Sequence, residues 1–148
     1  MRYLTDCRIS GLEIKSYDDK VSLGRKLAND FVNYMHHDGY AVNKCLESFF
    51  RLLKLFVSAD KDCTRAEYDF FIETTKVKDV DTDLFYRGTN GGSDPEFVDS
   101  MERFLSTLST RTKEAALDYG VLLCSAARKL TKEERELFGR MYEVKKLR

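Results

Sequence analysis

Asp60, Asp62 and Glu67 are the residues of this chain whose types and spacing best suit chemistry, and that chemistry is the binding of a hard cation. Carboxylate oxygens suit Ca²⁺, Mg²⁺ or Mn²⁺, and Zn²⁺ becomes a candidate if the neighbouring Cys63 joins them. Asp60 and Asp62 follow the end of a predicted helix, where the macrodipole is negative and each carboxylate is disfavoured by roughly 0.3–1 kcal/mol at low salt. A bound cation would remove that conflict. The competing reading is turn and capping chemistry, because Thr64 and Glu67 have the spacing of a capping box that opens the next helix.

Other candidates are poorer. Asp79, Asp81 and Asp83 have the alternation of an EF-hand loop, but Leu84 stands where glycine is needed and Asn90 where the bidentate glutamate belongs. That run reads as a solvated linker. His36 and His37 are adjacent, hence about 100° apart around a helix, and do not chelate one ion from one face; one is expected to be exposed and the other partly packed. No G-x-S-x-G, Walker A, H-E-x-x-H or glycine fingerprint occurs, and neither histidine lies near a nucleophile in sequence. The chain is therefore expected to be no enzyme. A carboxylate-metal hydrolase is the weakest alternative, since the E-x-x-H spacing of bundle metal sites is missing.

The elements that must position these residues come in two similar copies. Ser58-Ala59, Thr64, Glu67 and Phe71 recur as Ser125-Ala126, Thr131, Glu134 and Phe138, each pair 67 residues apart. Where the first copy has Asp60 and Asp62, the second has Ala127 and Lys129. The constant offset predicts two helix-loop-helix units packed about a pseudo-twofold axis, with acid in one loop only.

One proline, few glycines and apolar residues recurring at spacings of 3 and 4 predict an all-α fold, a bundle of about six or seven helices. Leu27, Phe31, Tyr34 and Met35 mark a helix stopping at Gly39. Val42, Leu46, Phe49, Leu53 and Phe56 mark a second, apolar nearly all round and expected at the centre of the core. A third starts at Thr64 with Tyr68, Phe71, Ile72 and Thr75 inward. Asp94-Pro95 opens a fourth, with Phe97, Met101, Phe104 and Leu108 as its stripe. Lys113 to Arg128 forms a fifth, and a capping box at Thr131 and Glu134 opens a sixth. The chain reads as one domain over 1–148: an arm or short helix over 1–20, a first repeat over 42–77, a polar linker over 78–94 and a second repeat over 109–146.

The segment Ala59-Asp60-Lys61-Asp62-Cys63-Thr64-Arg65-Ala66-Glu67 resembles the A-D-G-x-hydrophobic-S/T-x-x-E signature of the TerB family of tellurite-resistance proteins. Ala59, Asp60, Thr64 and Glu67 match; Lys61 replaces the glycine and Cys63 the aliphatic residue. The weaker second copy extends the resemblance from about Val42 to Tyr142. The resemblance implies an all-helical, cytoplasmic, stress-associated domain whose acidic residues bind metal, with Asp60 and Glu67 as the carried-over ligands and Asp62 as a neighbour particular to this sequence. It also implies accessory modules in co-chaperone and membrane-linked proteins, so a protein partner without metal is the alternative function.

Composition bounds these readings. A chain of 148 residues suffices for one domain burying roughly two thirds of its unfolded surface, and nothing approaches the ~18 apolar residues of a membrane span. Met1 to Asp6 has no apolar h-region, so the expected compartment is the cytoplasm. Cys7, Cys45, Cys63 and Cys124 form no C-x-x-C pair and read as reduced thiols, with Cys45 and Cys124 on apolar faces. The 25 bases balance the 25 acids, which gives nucleic acid no overall basic field. The charge is nonetheless uneven: net −7 over residues 59–102 and net +5 over 103–148. The acidic region and the basic terminal segment from Arg140 to Arg148 are the expected docking surfaces for a partner.

Overall fold

Three of the described helices begin where a side chain supplies a hydrogen bond that a helix end lacks. A computed structural model describes residues 2–58, 65–75 and 95–145, and among these it contains seven helices and no strand. They are α1 (Arg2–Glu13), α2 (Tyr17–His37), α3 (Val42–Ser58), α4 (Arg65–Thr75), α5 (Pro95–Leu105), α6 (Thr110–Cys124) and α7 (Lys132–Tyr142). The all-α expectation holds, and the N-terminal segment is a helix. Ser16 caps α2 by accepting from the Asp19 N–H at 3.2 Å, and Ser109 caps α6 by accepting from Thr112 at 3.4 Å. The predicted capping box of α7 is complete: Glu134 N–H donates to Thr131 Oγ1 at 3.1 Å, and Thr131 N–H donates to Glu134 Oε1 at 2.8 Å. Gly39, at φ 105°, follows the end of α2 in the left-handed region that favours glycine. Thr64, the other capping-box hydroxyl, and the 78–94 linker lie outside the described residues.

The centre of the core is α6, not α3. From Thr112 to Cys124 every α6 residue except Glu114 is buried, because α1, α2, α3, α4 and α7 all pack against it. Among the α3 side chains described, Cys45, Ser48, Phe49 and Leu52 are buried, whereas Val42 and Leu46 are about half exposed. On α4 the buried residues are Glu67, Phe70, Phe71 and Thr74; of the four expected inward, Phe71 is buried, whereas Tyr68, Ile72 and Thr75 are only partly so. On α5 and the residues after it, Val98, Met101, Leu105 and Leu108 are buried.

Aromatic contacts join these faces. Phe49 lies 5.5 Å from Phe31 and 5.0 Å from Tyr119, and Phe70 lies 5.6 Å from Tyr119, tying α2, α3 and α4 to α6. Tyr119 and Thr74 hydroxyls share a buried hydrogen bond of 2.6 Å. Close approach of α2 to α4 needs Gly24, where a Cβ would come within 2.8 Å of Phe70 Cζ and Thr74 Cγ2.

Two buried lysines fix how the helices end. Lys20 Nζ donates to Ser125 O at 2.7 Å, and Lys113 Nζ donates to Tyr142 O at 2.9 Å and Val144 O at 2.6 Å. Each amine sits at the C-terminal end of another helix, where carbonyls lack intrahelical donors and the dipole favours a cation. Burial lowers both lysine pKa values, so the helix ends hold these ammonium groups against a desolvation cost. Thus α6 stops at Cys124 rather than continuing to Arg128: Ser125 caps it, with its hydroxyl donating to Val121 O at 2.7 Å. The same contacts make α2 and α6 antiparallel, since Lys20 at the start of α2 meets the end of α6 and Arg111 at the start of α6 covers Tyr34 near the end of α2.

Cys45 and Cys124 are buried, in keeping with their expected place on apolar faces, and Cys7 is exposed. Among the described residues no helix is long and apolar enough to cross a membrane.

Candidate functional site

Of the three predicted ligands, Asp60 and Asp62 lie outside the described residues; Glu67 is on α4 and buried, with 2% of its surface exposed. Its carboxylate points toward Arg128, which also holds Glu134. Arg128 Nη1 lies 3.0 Å from Glu134 Oε1, and Arg128 Nη2 lies 3.8 Å from Glu67 Oε1. Glu67 therefore meets the residue that matches it 67 positions later, through a guanidinium that sequence reasoning did not single out. The only signal for Glu134 was its capping-box spacing, and nothing marked Arg128 beyond its place in the loop after α6.

The local chain explains this convergence. Glu134 is held at the third position of α7 by its bond to the Thr131 N–H, which aims the carboxylate back at the α6–α7 loop. Arg128 lies in that loop and is steadied by donating from Nη1 to Lys129 O at 2.9 Å. Its side chain is about one third exposed, whereas the glutamate side chains it serves are 2% and 0% exposed. Glu134 Oε2 is buried and has no hydrogen-bond partner among the described residues. Two buried carboxylates thus face one guanidinium at 3.0 and 3.8 Å, where burial strengthens the charge pairing. Among the described residues no group of three or more His, Cys, Asp or Glu side chains could hold a metal ion.

A second polar centre lines an open cleft of about 460 Å³ between α1, α2 and α6. Arg8 grips Asp118 with both arms of its fork, Nε to Oδ1 at 2.8 Å and Nη2 to Oδ2 at 2.6 Å, while Nη1 reaches Glu114 at 2.6 Å. Tyr142 donates to Asp118 Oδ1 at 2.6 Å, and the Arg8 guanidinium lies 5.6 Å from its ring centroid. Burial, followed by the Asp118 charge and hydrogen bond, pushes the Tyr142 hydroxyl well above its ordinary pKa. Across the cleft Arg111 stacks on Tyr34 at 4.4 Å, and Lys26 pairs with Asp30 at 2.6 Å. The walls thus alternate in sign above Leu27 and Ala115. Its polar lining is mostly charged, which suits charge recognition.

His36 and His37 are both exposed, which corrects the expectation that one would be partly packed. The reason is their place at the end of α2, where His36 Nδ1 lies 3.0 Å from Tyr40 O and His37 Nδ1 lies 3.2 Å from Arg111 Nη2.

Comparison with protein-family models, with curated proteins and with solved structures finds no match to this chain.

Proposed function

We propose that this chain is a non-enzymatic, TerB-like helical module of a stress response, which binds a divalent cation where the acidic loop of Asp60 and Asp62 adjoins Glu67. The observation that supports this reading is the buried Glu134 Oε2, which has no hydrogen-bond partner among the described residues and lies at the centre that Glu67 shares through Arg128. A cation held by the loop acids and this centre would give Glu134 Oε2 a partner and couple α4 to α7. Thermal melting in Ca²⁺, Mg²⁺, Mn²⁺ or Zn²⁺ tests it. At 100 times Kd, binding would add about 2.7 kcal/mol and raise Tm by roughly 5–10 °C for a domain of this size. Asp60→Ala with Asp62→Ala would abolish the rise, and Glu134→Gln would reduce it. No rise with any of the four ions refutes the cation reading.

The cleft favours a second reading, a protein-interaction module that uses no metal. Its alternating charges suit a polar partner surface bearing both signs. Charge reversal at Glu114 or Arg111 would then weaken partner capture, whereas Asp60→Ala with Asp62→Ala would not. Charge reversal of Lys145 and Lys146 separates the basic terminal segment from the cleft as the docking surface.

A further inference from the structure

The N-terminal helix is attached to the rest of the molecule as a bound peptide would be. Its buried apolar residues are Ile9 and Leu12, three apart and so on one face, set between α6 and α7. Polar contacts flank this pair. Arg8 holds Asp118 and Glu114 on α6, and four residues after Ile9, Glu13 accepts from the Leu130 N–H at 2.7 Å and from Arg135 Nη2 at 3.0 Å. Tyr3, Leu4 and Ile14 are 66–79% exposed.

Little else keeps α1 helical. It has 12 residues, contains Gly11, and has no acidic residue in its first turn and no basic residue in its last. An isolated helix shorter than ~12–15 residues is marginal in water, so docking is what makes this segment helical. The link to α2 runs through Lys15 and Ser16, both exposed, and α2 starts afresh with its own serine cap.

We propose that the face formed by α6 and α7 is a helix-recognition groove, and that α1 is an exchangeable occupant which a second copy of this chain can supply in trans. The groove reads an arginine, an apolar pair three residues apart and a glutamate, in the order Arg8, Ile9, Leu12, Glu13. Since the trans helix makes the same contacts as the cis helix, exchange leaves the groove filled and joins two chains. The inference needs no cation and stands apart from the reading above.

Hydrogen exchange of the unaltered chain is the first test: α1 amides are expected to exchange about 100-fold or more faster than those of α6, as a separately opening unit. Equal protection of α1 and α6 overturns the proposal. The second test titrates a fluorescent peptide of residues 2–15 into the full chain and into the full-length Ile9→Asp/Leu12→Asp variant, whose own α1 cannot dock. The variant should bind about tenfold or more tightly than the unaltered chain, because the cis competitor is gone. Binding that is indifferent to the same two substitutions placed in the peptide overturns groove recognition. The third test refolds the unaltered chain over a range of concentrations and measures mass by light scattering. A dimer fraction that grows with concentration supports exchange between copies, and monomer throughout refutes it. Where the double variant fails to fold, exchange and light scattering on the unaltered chain decide the matter.

Discussion

The Arg128 and Arg8 centres, among the described places where one arginine serves two carboxylates, differ in burial. At Arg128 the acids are Glu67 and Glu134, with side chains 2% and 0% exposed. At Arg8 they are Asp118 and Glu114, with side chains 12% and 32% exposed, and the Tyr142 hydroxyl adds a bond to Asp118. In the cleft, water can solvate what the guanidinium leaves over. At Arg128 little water reaches the carboxylates, so protein groups rather than solvent must meet their charge. Burial, not the inventory of charges, sets the two centres apart.

Removing the arginines should separate the two most clearly. Arg128→Ala leaves two buried carboxylates without their shared cation and is expected to cost about 3–5 kcal/mol, read as a lower denaturation midpoint at unchanged slope. Adding Glu134→Gln should recover part of that loss, since it removes one of the two charges; no recovery would mean that the cost is packing rather than charge. Arg8→Ala should cost less, about 1.5–3 kcal/mol, because its partners are partly solvated and Tyr142 still serves Asp118. Its cost should shrink in 1 M salt, whereas that of Arg128→Ala should not. Equal costs for the two would break the comparison.

Smaller effects sharpen the cleft. Tyr142→Phe should cost about 1 kcal/mol at neutral pH through the lost bond to Asp118. It also has a pH signature. Burial and Asp118 raise the Tyr142 pKa in the folded state, and burial and Glu73 push Tyr17 up to about 12. Unfolded tyrosine releases its proton near pH 10, so above that pH the unfolded state binds fewer protons than the folded one and stability falls as pH rises. The stabilisation is therefore complete below about pH 10 and is lost progressively above it. Tyr142→Phe should reduce this alkaline loss, measured as stability against pH from 9 to 12; an unchanged profile would remove Tyr142 from the account. Smallest of all, Arg111→Ala should cost about 0.5–1 kcal/mol by uncovering the Tyr34 ring.

Legibility in the sequence followed the range of the interaction. Caps act over three or four residues, so Thr131 with Glu134, Gly39 and the start at Pro95 could be read directly. Inward faces were read less well: α3 is apolar nearly all round in sequence, and its period alone cannot say that Val42 and Leu46 stay outside. The α6 helix was expected to run to Arg128, yet Ser125 and an amine from Lys20, 105 residues away, close it at Cys124. The Arg8 centre left no local trace, because its partners on α6 lie 106 and 110 positions further along.

The sequence by itself determined helix as the only regular structure described, the caps that start and stop it, and the residue types able to meet a cation. Those follow from short-range spacing and side-chain chemistry. Only the tertiary structure decided that α6 is the core, that Glu67 faces Glu134 across Arg128, and that Arg8 ties α1 to α6. The physical reason is that burial and charge pairing depend on which surfaces meet in space, and residues more than a hundred positions apart carry no shared period to announce it.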